Sequence, residues 1–413
     1  FQAEDGIRDC LLSRGLGDVY KRQVLRDVLR TPSTGIVETD TNKGLVKYAK
    51  PAGVIASLIP MTNPAMTPPV TGISSANARN AVIFSPHPRT AATTFEMSRI
   101  MRAACHAVGA PEDIFQCIER PSIPMTQYLM ESCDLTLATG GKPMVQAAYS
   151  SGKPAYGVGA GNSTIVVDAT ADLNEAAKNI MISKTSDFGS GCSADGNIVI
   201  QKSIYSNMVS QLKANNGYLC NSTQTKLLSR VMWDDKENRT FSTIACRPQQ
   251  LALLAGFEIP ENIKFLMVEN NGKIGKEHKF SKEKLTTLMA LYYFDDFPDA
   301  LNIIQKIYEV GGKGHSCGIY SNSDKNIDAL ARVAPVSRMM VRQPQSKSNA
   351  GSWVNGMPMT SSLGCGIWGG NITNENVTMK HMMNYTWVSR PIQEDRPSEI
   401  ELFGEFFGQE FAL

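Results

Sequence analysis

The sequence predicts an α/β protein made of two parallel-sheet domains followed by an extended arm. Three observations carry this. From Ala81 onward, apolar runs of strand length alternate with segments of helical spacing, the succession that builds parallel sheets. A second alternating unit starts near Asp168. With 413 residues, 42% hydrophobic and 19% charged, the chain is long enough for two cores.

Residues 53–59 read as an apolar strand, and Pro60-Met-Thr-Asn-Pro64 ends it because each proline fixes its backbone and removes a ladder donor. Residues 81–84 form the next strand, 90–107 a helix, 114–118 a strand, 123–131 a helix, 134–138 a strand and 142–149 a helix. A strand at 164–167 is expected to close this series. Ligands of such sheets gather at the strand C-termini. The second unit holds a helix marked by Leu173, Ala176, Ala177, Ile180 and Met181, then a buried strand at Ile198-Val-Ile200. A polar stretch from 215 to 279 is expected to be irregular, followed by a strand at 285–291, a helix at 300–309 and a Gly-rich segment at 362–371. From Tyr385, Thr386-Trp-Val-Ser-Arg-Pro391 reads as an arm before an acidic, Phe-rich end. The expected domains are 24–167 and 168–384, with arm and tail at 385–413. Residues 1–23 resemble translated sequencing-adapter read-through and are set apart from the fold; the native N-terminal segment is then expected upstream.

The 41 basic and 39 acidic residues nearly cancel, which gives no footprint for nucleic acid or a membrane surface. No apolar run is long enough to span a bilayer and no signal-peptide core is visible. The cytoplasm is therefore expected, with the six Asn-x-Ser/Thr triplets unglycosylated. Nine scattered cysteines without a Cys-x-x-Cys suit free thiols. The five histidines lack metal-ligand spacing, so no metal site is expected.

Chemistry concentrates in Lys184-Thr-Ser-Asp-Phe-Gly-Ser-Gly-Cys192-Ser-Ala-Asp-Gly-Asn197, which places one thiol among small residues between a helix and a strand. A cysteine in such surroundings is more often an inert packed thiol. Presented on a loop, though, it can attack a carbonyl while its own backbone N–H stabilises the oxyanion. Thr139-Gly-Gly141 follows a strand and opens a helix, so free N–H groups there face a site for a pyrophosphate; ordinary turn chemistry is the alternative. Gly157-Val-Gly-Ala-Gly-Asn162 imitates a dinucleotide fingerprint but precedes a strand, not a helix. Asn63 offers a neutral amide on a strand-end loop, suited to an oxyanion, although Asn before Pro is commonly a turn residue.

These segments, in this order, resemble the aldehyde dehydrogenase family. The likeness rests on Pro51-Ala-Gly-Val-Ile, Pro60-Met-Thr-Asn-Pro, Phe84-Ser-Pro-His-Pro-Arg89, Ala138-Thr-Gly-Gly, Ser150 through Asn162, the Cys192 loop, Ser281-Lys-Glu-Lys-Leu285 and Leu363-Gly-Cys-Gly-Ile-Trp-Gly-Gly-Asn371. It covers about residues 46 to 395 and is nearest the CoA-acylating branch. The resemblance implies that Cys192 is the nucleophile and Asn63 the side-chain donor of the oxyanion hole. It implies NAD or NADP at Pro60, Thr62, Ser85, His87, Thr139, Gly140, Gly141 and Gly159, with Glu283 on the nicotinamide ribose and 24–167 as the cofactor domain. For Glu283 the alternative is a solvated charge beside Lys282 and Lys284; for His87 it is a turn residue fixed by its flanking prolines.

One departure decides the fate of the acyl group. Hydrolytic members carry a base in Glu-Leu-Gly-Gly-Lys, where this chain has Gly157-Val-Gly-Ala-Gly161. Water without a base is a poor nucleophile, whereas a CoA thiol with a pKa of roughly 8.5 is already partly ionised. Coenzyme A is therefore the expected acceptor, in a reversible reaction. The Cys192 loop and Val341-Arg-Gln-Pro-Gln-Ser-Lys-Ser-Asn349 are similar to acylating sulfoacetaldehyde dehydrogenases, which nominates Arg342, Gln343 and Lys347 for a sulfonate; solvent or a subunit neighbour is the alternative for these three. Acetaldehyde or succinate semialdehyde as substrate, a hydrolytic enzyme using another carboxylate, and an inactive truncated fragment are the rivals. The arm implies a homodimer or homotetramer.

Overall fold

The computed structural model describes residues 16–406 and 408. A helix at Leu16–Arg30 crosses the boundary expected at residue 23, and its Val24 and Val28 pack with Ala49, Val70 and Met379. Residues 1–15 lie outside the described residues.

Two antiparallel strands, β1 (Gly35–Asp40) and β2 (Leu45–Pro51), come first. Then β3 (Val54–Ile59), β4 (Ala81–Pro86), β5 (Phe115–Cys117), β6 (Leu135–Thr139) and β7 (Ala155–Val158) form a parallel sheet in the order β5-β4-β3-β6-β7. The chain continues through β8 (Thr164–Val167), β9 (Asn197–Gln201), β10 (Gly217–Leu219), β11 (Phe265–Glu269), β12 (Leu288–Phe294), β13 (Cys317–Tyr320) and β14 (Met339–Val341). These make a second parallel sheet, β10-β11-β12-β9-β8-β13-β14.

Strand periodicity gives the second sheet two cores. Ile165, Val167, Ile198 and Ile200 face the helix Leu173–Thr185 through Ala176, Ala177 and Ile180. Val166 and Val199 face the opposite layer with Leu266, Tyr292 and Ile304. Successive residues point to opposite faces, so a strand buried on both sides is apolar throughout. Each such Val or Ile contributes roughly 1.5–3 kcal/mol when fully buried.

Three expectations change. The strand Thr164–Val167 does not close the first sheet; it lies inside the second, paired with β9 and β13. All four of its residues are buried, so it shows no alternation that could tell one sheet from the other. The stretch 215–279 is not irregular: it contains β10, β11 and helices at Ser222–Met232 and Pro248–Leu254. Asn221 caps the first of these helices by a reciprocal pair with Gln224, a signal present in Asn221-Ser-Thr-Gln224. The strand expected at 285–291 begins instead at Leu288. Leu285 has φ of 51°, and this turn delays entry into the sheet.

The arm is the strand β15 (Met383–Ser389), which pairs antiparallel with β2 from Met383 opposite Pro51 to Ser389 opposite Leu45. The Lys47 ammonium lies over the rings of Tyr385 and Trp387, at 4.3 and 4.8 Å.

Candidate active site

The site arises where the chain crosses from one sheet to the other. Each sheet is parallel throughout, so the C-termini of β3 to β7 share one edge and the N-termini of β8 to β14 share another. Residues 159–163 join those edges. The loops entering β9, β12, β13 and β14 carry Cys192, Glu283, His315 and Arg338. Register brings them into line: Thr164 lies opposite Asn197 and Cys317, Asn197 opposite Ala290, and Cys317 opposite Met339.

Asp172 caps the helix that leads to the nucleophile, accepting from the N–H groups of Asn174 and Glu175. The helix ends in a turn where Asp187, Phe188 and Gly189 have φ of 49°, 50° and 68°. Two consecutive non-glycine residues in this region store strain of the kind found at functional loops. Gly189 is also needed for packing, since a Cβ there would stand 2.5 Å from the Thr286 carbonyl oxygen. At Gly191 nothing lies within 4 Å of a Cβ position, so space beside Cys192 is open.

Cys192 keeps some accessible surface, yet protein rings it on most sides. Burial pushes its thiol up to about 12, Glu283 and Cys365 act in the same direction, and Arg338 and the residue's own backbone N–H oppose them. That N–H reaches no protein carbonyl among the described residues. At rest the thiol is protonated, so attack requires a proton acceptor.

Glu283 is no solvated surface charge. The Gly161 N–H donates to its Oε1 at 3.1 Å. Burial raises its carboxyl to about 8, against the opposing pull of that N–H, Arg239, Lys184 and Lys284. Lys282, in contrast, pairs with Glu237 at the surface, while Lys284 is buried and donates to Asn197 Oδ1 at 2.6 Å. Asn197 donates to Asn162 Oδ1 at 3.0 Å, and Asn162 to the Ser281 carbonyl at 2.8 Å. Three strand-entry loops are thereby tied together beneath the nucleophile.

The Gly157–Gly161 run wedges into this assembly. A Cβ on Gly161 would collide with the Cys192 carbonyl oxygen and stand 3.3 Å from the His315 ring. One on Gly159 would lie 3.7 Å from Cys365 Sγ. At Gly157, where the hydrolytic base is missing, a Cβ would meet Val145 at 2.5 Å and the Tyr149 ring at 3.0 Å. A carboxylate side chain has no room there.

His315 lacks any spacing that marks it in the sequence beyond the glycines of Gly312-Lys-Gly314. It is fully buried, its Nδ1 lies 2.9 Å from Ser316 Oγ, and its Nε2 has no hydrogen-bond partner among the described residues. Burial, and then Arg338, lower its pKa to about 3, so the ring is neutral at physiological pH and its unpartnered Nε2 carries a free lone pair, while its surroundings disfavour the protonated form.

Around the first sheet's C-terminal edge, the strand order reverses direction between β3 and β6, and such a switch point opens the crevice that holds nucleotides. Pro60, Thr62 and Asn63 follow β3, Thr139, Gly140 and Gly141 end β6, and Ser85 and His87 lie at the end of β4. The N–H groups of Gly141 and Lys142 find no acceptor among the described residues, as a pyrophosphate site at a helix start requires. Thr139 Oγ1 lies 3.2 Å from Ser362 Oγ, and Ser85 Oγ 2.9 Å from Thr126 Oγ1. His87 accepts from the Arg89 N–H through Nδ1. The residues fit NAD or NADP. Asn63 uses its backbone within the loop, donating to the Pro60 carbonyl and accepting from the Thr67 N–H, while its side-chain amide makes no hydrogen bond among the described residues.

Of the three residues nominated for a sulfonate, Arg342 lies away from Cys192. Arg342 follows β14 at the opposite, C-terminal edge and donates to Asn322 Oδ1 at 2.6 Å; the strand separates it from the thiol. Gln343 Oε1 accepts from Asn355. Lys347 stands on the short helix Gln345–Ser348, whose Gln345 donates to Asp195 Oδ1 at 2.9 Å.

The family model for aldehyde dehydrogenases matches residues 22–219. A sulfoacetaldehyde dehydrogenase of Acholeplasma sp is 41% identical, the match covering 93% of this chain and 80% of that protein. An acylating sulfoacetaldehyde dehydrogenase of Bilophila wadsworthia is 38% identical over 94% of this chain and 85% of its own. The crystal structure of an acetylating aldehyde dehydrogenase from Geobacillus thermoglucosidasius superposes with a TM-score of 0.89 at 35% identity, covering 93% of this chain and 85% of that one. Matches of this extent, on a site of this construction, make the chain a member of the aldehyde dehydrogenase family.

Proposed function

We propose that the chain is a CoA-acylating aldehyde dehydrogenase that oxidises sulfoacetaldehyde to its CoA thioester with NAD or NADP, reversibly. The observation that carries this is Gly157, packed so closely against Val145 and Tyr149 that no carboxylate side chain has room where hydrolytic relatives hold a base. Without that base, water is a poor acceptor, and a thiol that is partly ionised at neutral pH takes the acyl group.

His315 Nε2 accepts the thiol proton, and the Cys192 sulfur attacks the aldehyde carbon. The Asn63 amide and the Cys192 N–H hold the oxygen that becomes charged. NAD(P)+ bound in the crevice supplies the hydride acceptor. His315 then passes that proton to solvent, so in the second half-reaction its neutral ring accepts the CoA thiol proton as the CoA sulfur bonds to the acyl carbon, and Cys192 leaves as a thiolate that takes this proton back. Gly161 and Glu283 fix the turn that separates the two halves of the site.

Sulfoacetaldehyde is favoured by what the two similar relatives are named for. A panel of sulfoacetaldehyde, acetaldehyde and succinate semialdehyde, assayed with CoA and product identification, tests this. The expected result is the highest kcat/KM on sulfoacetaldehyde with a CoA thioester as product; best turnover on acetaldehyde would overturn the substrate. A hydrolytic reading has one observation behind it, the Glu283 carboxyl close enough to act on Cys192, and it predicts free acid instead.

The eight described cysteines are all free, and no described helix is long and apolar enough to cross a membrane; we place the enzyme in the cytoplasm. The outer edge of β15, with Trp387 exposed, is where we place the contact of a homodimer or homotetramer.

A further inference from the structure

Arg338 is a buried cation without a counter-ion. It is 5% exposed, and no carboxylate lies within 4 Å of it among the described residues. Its guanidinium donates only to neutral acceptors: the carbonyls of His315 at 3.1 Å, Gly364 at 2.6 Å and Asn374 at 3.0 Å. Its Nε has no hydrogen-bond partner among the described residues. An uncompensated charge in such a place is strongly unfavourable, so a fold that retains it has a use for the field.

The three carbonyls locate that field. His315 borders the Gly161 turn that lies on the Cys192 carbonyl, and Gly364 precedes Cys365, which lies against Gly159. The guanidinium is thereby fixed between the His315 loop and the segment that carries Cys365, both of which border the Cys192 loop. We propose that Arg338 is a positioning residue whose charge serves as the counter-ion of the Cys192 thiolate while its fork holds His315 in place. This rests on the nucleophile reading above and adds a residue to it. The groups facing Cys192 are Glu283 and Cys365, which disfavour its thiolate, Arg338, which favours it, and the neutral His315; those acting on Arg338 are the two thiols.

The test is the pH dependence of Cys192 alkylation by iodoacetamide, followed on the Cys192 peptide by mass spectrometry. It reads the thiol whether or not the dehydrogenase assay runs. In Arg338→Met the Cys192 alkylation rate is expected to be roughly tenfold lower at each pH from 7 to 9, the equivalent of about one pH unit, while Arg338→Lys keeps a rate near wild type despite losing the fork. An unchanged rate in Arg338→Met, with activity lost, would mean a purely structural role and overturn the proposal. A second pair compares Asp at this position with and without the cation. A buried Asp with a raised folded pKa loses stability as pH climbs above its unfolded value of about 3.9, so the unfolding temperature of Cys192→Asp falls below that of Cys192→Asn between pH 5 and 8, and the fall is expected to be larger when Arg338→Met is added. An equal fall with and without Arg338 would also overturn the proposal.

Discussion

Cys192→Ala is expected to reduce CoA-dependent NAD(P)H formation by at least about 10⁴-fold, the scale seen when a covalent nucleophile is removed. The size follows from the absence of a substitute. Cys365, the thiol that couples to Cys192, is 1% exposed and packed under Gly159, so no aldehyde reaches it. Folding is expected to survive, because among the described residues Cys192 makes no side-chain hydrogen bond and Gly191 beside it faces open space. Activity measured with matched unfolding temperatures checks this; retention of more than a few per cent of wild-type rate would remove Cys192 from the chemistry.

Asn63→Ala is expected to lower kcat by about 10²–10³-fold with a small change in KM, since the amide acts on charge that develops only during reaction. The loop supports that division of effect. Its backbone is held by the Pro60–Asn63 and Asn63–Thr67 hydrogen bonds, and Pro64 is tied to Thr94 at 3.1 Å. None of these uses the Asn63 side chain, so alanine leaves the loop standing. A larger change in KM than in kcat would point to ground-state binding and away from an oxyanion donor.

The residues legible in the sequence are those on loops that advertise themselves. Cys192 stands among Gly189, Gly191 and Gly196; Thr139-Gly-Gly141 sits at a strand-to-helix step; Asn63 lies between prolines. Each occupies a place where local composition already restricts the backbone. The buried partners were not legible, because their meaning comes from sheet register. His315 and Arg338 enter adjacent strands, β13 and β14, and meet only because Cys317 lies opposite Met339. Lys284, Asn197 and Asn162 connect three strand entries that are 122 residues apart at the extremes, counting from Asn162 to Lys284. Arg342 shows the converse: its charge and its place in Val341-Arg-Gln-Pro-Gln-Ser-Lys-Ser-Asn349 nominated it for the sulfonate, but it follows a strand of three residues that carries it to the other edge. The strand Thr164–Val167 was assigned to the wrong sheet for a related reason, since burial on both faces erases the alternation that would have shown its surroundings.

The central claim is that CoA, not water, takes the acyl group from Cys192. Incubating the wild-type protein with aldehyde and NAD(P)+ but no CoA tests it most directly. The account predicts a burst of about one equivalent of NAD(P)H per Cys192, then a stop, with Cys192 found acylated by mass spectrometry and turnover restored on adding CoA. Continued turnover without CoA, at a rate comparable to that with it and yielding free acid, would contradict the account.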